Sequence, residues 1–163
     1  MSQTRFINPD ALSKPPGYSH VVEATMPGRI VYIAGQLGID RGGQVVGDFR
    51  QQAVQTFENL KAALAAVGAQ FRHVVKLNNY LVGLEHLPAF REVRDSYLAS
   101  DDRPASTTIG ISALARAGAL LEIEAVAVVP AAARSKGAPK PASKRAGAAR
   151  KRAKTRGSRS KRR

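Results

Sequence analysis

The hydrophobic pattern of this 163-residue chain stops at residue 130. Beyond it, residues 131–163 are built almost entirely of Ala, Lys, Arg, Pro, Gly and Ser, with no aliphatic or aromatic side chain larger than alanine. Such a stretch cannot bury enough apolar area to offset the entropy of ordering it. The sequence therefore predicts one folded domain over residues 1–130 and a disordered tail over residues 131–163.

Charge divides at the same place. The tail holds 14 of the 26 Lys and Arg residues and no acid, which leaves 12 basic residues in the first 130, matched by all 12 acids. The net charge of +14 is thus a neutral domain with a cationic extension. There are no cysteines, so disulfides, thiolate nucleophiles and Cys-ligated metals are excluded. The opening "MSQTRFINPD" lacks the apolar segment of a secretory signal, and no apolar run approaches the roughly 20 residues of a membrane span. The expectation is a cytoplasmic protein without a membrane contact.

Within the first 130 residues the period of the pattern alternates. "HVVEAT" and "RIVYIAGQL" read as two strands joined by a Pro27-Gly28 turn. After a glycine-rich loop, Asp48 with Gln51 has the form of a capping box that opens a helix over about residues 49–67. Val54, Phe57, Leu60, Ala63, Leu64 and Val67 form its apolar stripe, and Gly68 suits its C-terminal end. "HVVKLNNYLVG" follows as a strand. Pro88 fits the first turn of a second helix with Phe90, Val93 and Tyr97 on one face. Two further strands end the domain, and a short extra strand is expected near Arg5–Ile7. The order β-β-α-β-α-β-β predicts an α+β layer, one sheet with both helices on one face. The uncovered face would show Val, Ile and Tyr, which favours self-association over a barrel closed from the chain's own strands.

In "LLEIEAVAVV" the side chains alternate, so Leu121, Ile123, Ala125 and Ala127 face one way and Glu122 and Glu124 the other. A partly buried carboxylate there could pass protons. The pattern alone reads more simply as an edge or rim strand with solvated charges. His20, His73 and His86 lie on separate elements with no metal-ligand spacing, and Ser19 and His20 are adjacent on a strand and so face opposite ways. No metal and no catalytic triad is expected. Nor is any His or Lys pair placed for phosphodiester cleavage.

The stretches "GYSHVV", "VYIAGQLGID", "FREVRDSYL", "RPAST" and "GALLEIEAVAV", in this order, resemble the RidA/YjgF family of reactive-intermediate deaminases, also called L-PSP endoribonucleases. The resemblance covers roughly residues 5–130. It implies a chorismate-mutase-like fold, a homotrimer (a trimeric barrel) with clefts between subunits, and hydrolysis of reactive imines and enamines to 2-keto acids and ammonia without a cofactor. It further implies that Glu122 positions or activates the attacking water, that Tyr18 supplies the aromatic hydroxyl of the cleft, and that Gly35 lines it with backbone. Ala34 stands where a serine is usual, and Thr108 where cysteine is frequent.

Ser106 is the departure: the family's active deaminases read "PAR" where this chain reads "PAS", and that arginine clamps the substrate carboxylate. A hydroxyl in place of a planar two-donor guanidinium would weaken a carboxylate ligand by about 10²–10⁴-fold. Arg103 lies at an odd offset from Ser106. Arg94, where deaminases often carry asparagine, is the better replacement, although a helix arginine is more often a solvated charge. The expected ligand is a small imine, enamine or carbonyl compound of altered range. The alternatives are a small-ligand-binding protein without catalysis and a nucleic-acid-associated protein. For the last, the tail cations Lys144, Arg145, Arg150, Lys151, Arg152, Lys154 and Arg156 would bind DNA or RNA phosphates without sequence readout, and no tail aromatic is present for base stacking.

Overall fold

The computed structural model describes residues 3–12, 14–15, 17–25, 28–99 and 101–131. The tail cations therefore lie outside the described residues. Strands β1 (Gln3–Ile7), β2 (Val21–Thr25) and β3 (Gly28–Leu37) are followed by helix α1 (Phe49–Ala66) and β4 (Val74–Val82). Helix α2 (Leu87–Tyr97), β5 (Ala105–Ile111) and β6 (Leu121–Pro130) complete the domain. The extra N-terminal strand is thus present.

The strands form two sheets rather than the single one expected. β1 and β2 pair antiparallel, while β3, β6, β4 and β5 form a four-stranded sheet in that order. The β2–β3 hairpin is corrected: β2 pairs with β1, and β3 pairs with β6 from Gly28↔Pro130 to Leu37↔Glu122. A Pro-Gly signal marks where a strand stops, but β6 offers β3 a partner twice as long as β2. The β6–β4 pairing is antiparallel and the β4–β5 pairing parallel.

Helix α1 begins where its sequence requires. The Asp48 side chain accepts from Gln51 N, and Gln51 Oε1 accepts from Asp48 N, both at 2.9 Å. Two orphan amides of the first turn are thereby satisfied. Phe57, Leu60 and Leu64 are buried as the stripe requires, but Val54 is 42% exposed. The stripe is rotated by one residue, with Ala53, Thr56 and Gln52 facing inward. Gln52 explains the rotation: its amide donates to Gly118 O (3.1 Å) and accepts from Leu120 N (2.8 Å), holding the turn before β6.

Both helices cover one face of the four-stranded sheet. Phe57, Leu60 and Leu64 of α1 and Phe90 and Val93 of α2 pack on Ile33, Leu77, Leu81, Leu121, Ile123, Ala125 and Ala127. Phe57 sits centrally, with ring centroids of Tyr97, Phe71 and Phe90 at 5.0, 6.1 and 6.5 Å. The opposite face carries no element of the four-stranded sheet's own helices and exposes Tyr32 (79%), Ile30 (51%) and Ile109 (47%).

Candidate functional site

β6 lies between β3 and β4, so Glu122 and Glu124 are not on an edge strand as the charge pattern suggested. Both are half-buried on the uncovered face. Their charges persist in a central strand because that face carries polar neighbours at matching register. Tyr80 pairs with Glu122 and Asn78 with Glu124 across β4. The Tyr80 hydroxyl donates to Glu124 Oε2 at 3.0 Å, and Asn78 Nδ2 donates to the same oxygen at 3.3 Å. That hydrogen bond is the largest of the causes that push the Tyr80 phenol above its ordinary pKa; burial and the charges of Glu124 and Glu122 add to it.

Gly35 lies directly under the Glu122 carboxylate, and any Cβ there would overlap it. A β-bulge between Ile33 and Gln36 allows this approach. Ala34, in the bulge, is exposed, and its carbonyl accepts from Gln36 Nε2 at 3.1 Å. Beside this group a cleft of about 530 Å³ runs along the uncovered face, lined by Tyr32, Ala34, Lys76, Asn78, Glu124 and Val126.

The remaining candidates sit elsewhere. Ser106 and Thr108 pair with Leu77 and Asn79 of β4 and so share the helix-covered side of the sheet. Asn79 Nδ2 donates to Ser106 Oγ at 2.9 Å and to Thr108 Oγ1 at 3.2 Å. Segment 17–19 docks at the entry to β5, where Ser19 N donates to Pro104 O at 3.2 Å. Tyr18 is half-buried there, its ring edge-on to His20 at 5.4 Å. A cleft of about 630 Å³ opens beside it, lined among others by Lys14, Tyr18, Ser19, Asp101 and Arg103.

Arg94 is not the solvated helix charge that its position favours in general. It is 5% exposed, its guanidinium carbon 5.8 Å from the Phe90 ring centroid. Nε donates to Asp95 Oδ1 at 2.8 Å, and Nη2 reaches Gly17, where a Cβ would overlap it. Among the described residues the two terminal nitrogens of Arg94 find no hydrogen-bond acceptor. Arg103 precedes β5, so strand parity does not govern it, and its Nη1 shares Asp95 Oδ1 at 2.6 Å. Burial works to raise the Asp95 pKa, but hydrogen bonds and charge from Arg94 and Arg103 outweigh it and hold the carboxyl below its ordinary value.

The candidate residues therefore fall into two groups on opposite sides of the four-stranded sheet. Glu122, Gly35 and Ala34 belong to the uncovered face; Ser106 and Thr108 face the covered side of β5, Arg94 lies on α2 against Gly17, and Tyr18 lies beside the entry to β5. The histidines are scattered: His86 stacks on Phe49 at 4.3 Å, and His73 Nδ1 accepts from Gln70 N at 3.1 Å. Burial, then the Arg72 charge, lowers the His73 pKa. Among the described residues no three His, Asp or Glu side chains gather as metal ligands, and no helix is long and apolar enough to cross a membrane. Asn79, Tyr80 and Gln52 were not singled out from the sequence. For Asn79 a signal existed: it is the polar residue on the strand face shared by Leu77 and Leu81.

The sequence model described as endoribonuclease L-PSP matches residues 9–129. A protein of Dermatophagoides farinae named 2-iminobutanoate/2-iminopropanoate deaminase is 34% identical over 132 residues, covering 79% of this chain and 99% of that one. The crystal structure of the conserved Rid-family protein YyfB of Yersinia pestis superposes with a TM-score of 0.70 at 37% identity, covering 77% and 98% of the two chains. RidA of an Antarctic Psychrobacter gives a TM-score of 0.60 at 32% identity, covering 77% and 99%. A match over most of the folded domain, with the same architecture, shows that this chain belongs to the RidA/YjgF family.

Proposed function

We propose that this protein is a deaminase-type hydrolase of imines and enamines, with a site formed where the Glu122 face of one protomer meets the Arg94–Ser106 side of another in a homotrimer. The observation that supports this most directly is the placement of Glu122 and Ser106 on opposite faces of one sheet, which a single protomer cannot present together to one small molecule. The exposed Tyr32, Ile30 and Ile109 give the uncovered face a reason to associate. The name of the mite relative supplies the reaction class.

In this reading Glu122 holds a water against the imine carbon and takes a proton as the C–O bond forms. The same proton passes to nitrogen. The tetrahedral carbinolamine then gives its hydroxyl proton to nitrogen through Glu122, the C–N bond breaks as the C=O bond forms, and ammonia leaves a carbonyl product. Gly35 leaves the Glu122 carboxylate room to approach, and water addition to a C=N bond needs no cofactor. With serine at 106, the substrate carboxylate falls to the buried guanidinium of Arg94, whose terminal nitrogens bond no acceptor among the described residues. Moving the cation from strand to helix shifts where the carboxylate sits, and with it the range of substrates. The test is release of 2-oxobutanoate from 2-iminobutanoate formed in situ by an amino-acid oxidase. The chain should accelerate release, and Glu122→Gln should lose about 10²–10⁴-fold of that acceleration. Equal rates with and without protein would reject the reading.

A second reading concerns residues 131–163, whose 14 cations and absent acids favour binding of DNA or RNA phosphates. Three tails on one trimer would add avidity. Binding should fall steeply with salt and vanish when 131–163 is deleted; unchanged binding after deletion would reject the tail as its cause.

A further inference from the structure

Leu77, Asn79 and Leu81 share one face of β4 and are completely buried. Two are leucines; the third is an amide whose orientation is fixed. Nδ2 of Asn79 lies 2.9 Å from the carbonyl oxygen of Thr107, which can only accept, so the NH₂ group must face β5. One consequence is that Asn79 Oδ1 is left buried without a partner. A buried acceptor without a donor is destabilising, so packing alone does not account for an asparagine at this position.

The other consequence concerns direction. One amide N–H goes to Thr107 O, and the other is shared by Ser106 Oγ and Thr108 Oγ1. Both hydroxyls accept from Asn79, so both hydroxyl hydrogens remain to be donated elsewhere. Among the described residues neither donates to a protein acceptor, while Thr108 is exposed and Ser106 half-buried on an outer strand. The two oxygens lie 2.9 and 3.2 Å from one nitrogen, which sets both hydroxyls by the same amide. Arg94 and Arg103 are bonded to Asp95, and among the described residues no cation is bonded to this pair.

We propose that Asn79 is a positioning residue that presents Ser106 and Thr108 as a paired neutral donor to an uncharged carbonyl oxygen of the substrate. The pair selects an imine with a carboxamide-bearing side chain over one with an alkyl side chain. Two neutral hydroxyls match a carboxamide oxygen, whereas a second carboxylate would call for charge. The identity of the reacting centre rests on the deaminase reading above; the donor pair is tested without turnover.

The experiment is calorimetric titration of the full chain with 2-oxosuccinamate and 2-oxobutanoate, which share a 2-oxo acid head and differ by a carboxamide in place of a methyl. The wild type should bind the amide about tenfold more tightly. Asn79→Val should bring the two affinities to within about twofold. Ser106→Ala should erase the preference in the same way, and carries the test if Asn79→Val does not fold. Equal affinities in the wild type, a preference surviving either substitution, or no binding of either compound would overturn the proposal. An amide preference in a chain that hydrolyses no imine would instead reject the deaminase reading and leave the donor pair standing.

Discussion

β6 presents two different surfaces one residue out of phase. Beneath the helices stand Leu121, Ile123, Ala125 and Ala127, each at most 3% exposed. On the other side stand Glu122, Glu124 and Val126, with Tyr32 of β3 79% exposed nearby. The covered face is filled by packing, and its one interior polar intrusion on β4 is Asn79. The uncovered face mixes two carboxylates, Tyr80, Asn78 and Lys76 with exposed apolar side chains. A surface made only to stay in water would not expose Tyr32 and Ile30, and a surface made only to pack would not carry Glu122. The contrast separates a face that makes the folded domain from a face that, in the proposed trimer, another protomer completes.

Substitutions should fall on different quantities according to face. Phe57→Ala, at the centre of the aromatic cluster on the covered side, should lower unfolding free energy by about 3–5 kcal/mol in denaturant melts. Tyr32→Ala should change protomer stability by no more than about 0.5 kcal/mol. It should instead shift sedimentation towards smaller species. If Tyr32→Ala unfolds the chain while leaving its assembly intact, the division of labour between faces is wrong.

A smaller effect tests the start of the covering layer. Asp48→Ala removes the side-chain half of the capping box and should cost about 1 kcal/mol, read as a lower denaturation midpoint with unchanged slope. No loss would mean that Gln52 and the packing of Phe49 fix α1 without the cap.

The smallest effect concerns acid. The Asp95 carboxyl titrates below its ordinary value in the folded protein, so its pairing with Arg94 and Arg103 stabilises the fold above about pH 4. That contribution is lost as pH falls through the depressed folded value. Asp95 is partly exposed, which limits the contribution to about 1 kcal/mol. Asp95→Asn should therefore be less stable than wild type at neutral pH and converge with it in acid. A constant difference across the range would assign the loss to something other than ionisation.

The elements were legible in the sequence because local chemistry decides them. Asp48 and Gln51 set the start of α1, Pro88 the start of α2, and the alternation around Glu122 the orientation of β6. Partner choice among strands was not legible, since the Pro27-Gly28 signal ends a strand without saying that β3 prefers β6 to β2. The rotation of α1 that exposes Val54 depends on Gln52 reaching Leu120 N, 68 residues away. Arg94 was legible as a candidate but not as a buried group, because burial comes from Phe90 and the approach of Gly17. That Ser106 and Glu122 lie on opposite faces required the register of β4 against both neighbours.

Central to the account is a site shared between protomers, and complementation measures it directly. Glu122→Gln and Arg94→Gln each disable one half-site. Co-refolded in equal amounts, the two inactive chains should assort at random in a closed ring and leave about one quarter of the sites with both halves intact. Recovery of roughly a quarter of wild-type turnover of 2-iminobutanoate is the predicted result. Mixed chains no more active than either variant alone, in assemblies shown to contain both, would place the whole site within one protomer and contradict the account.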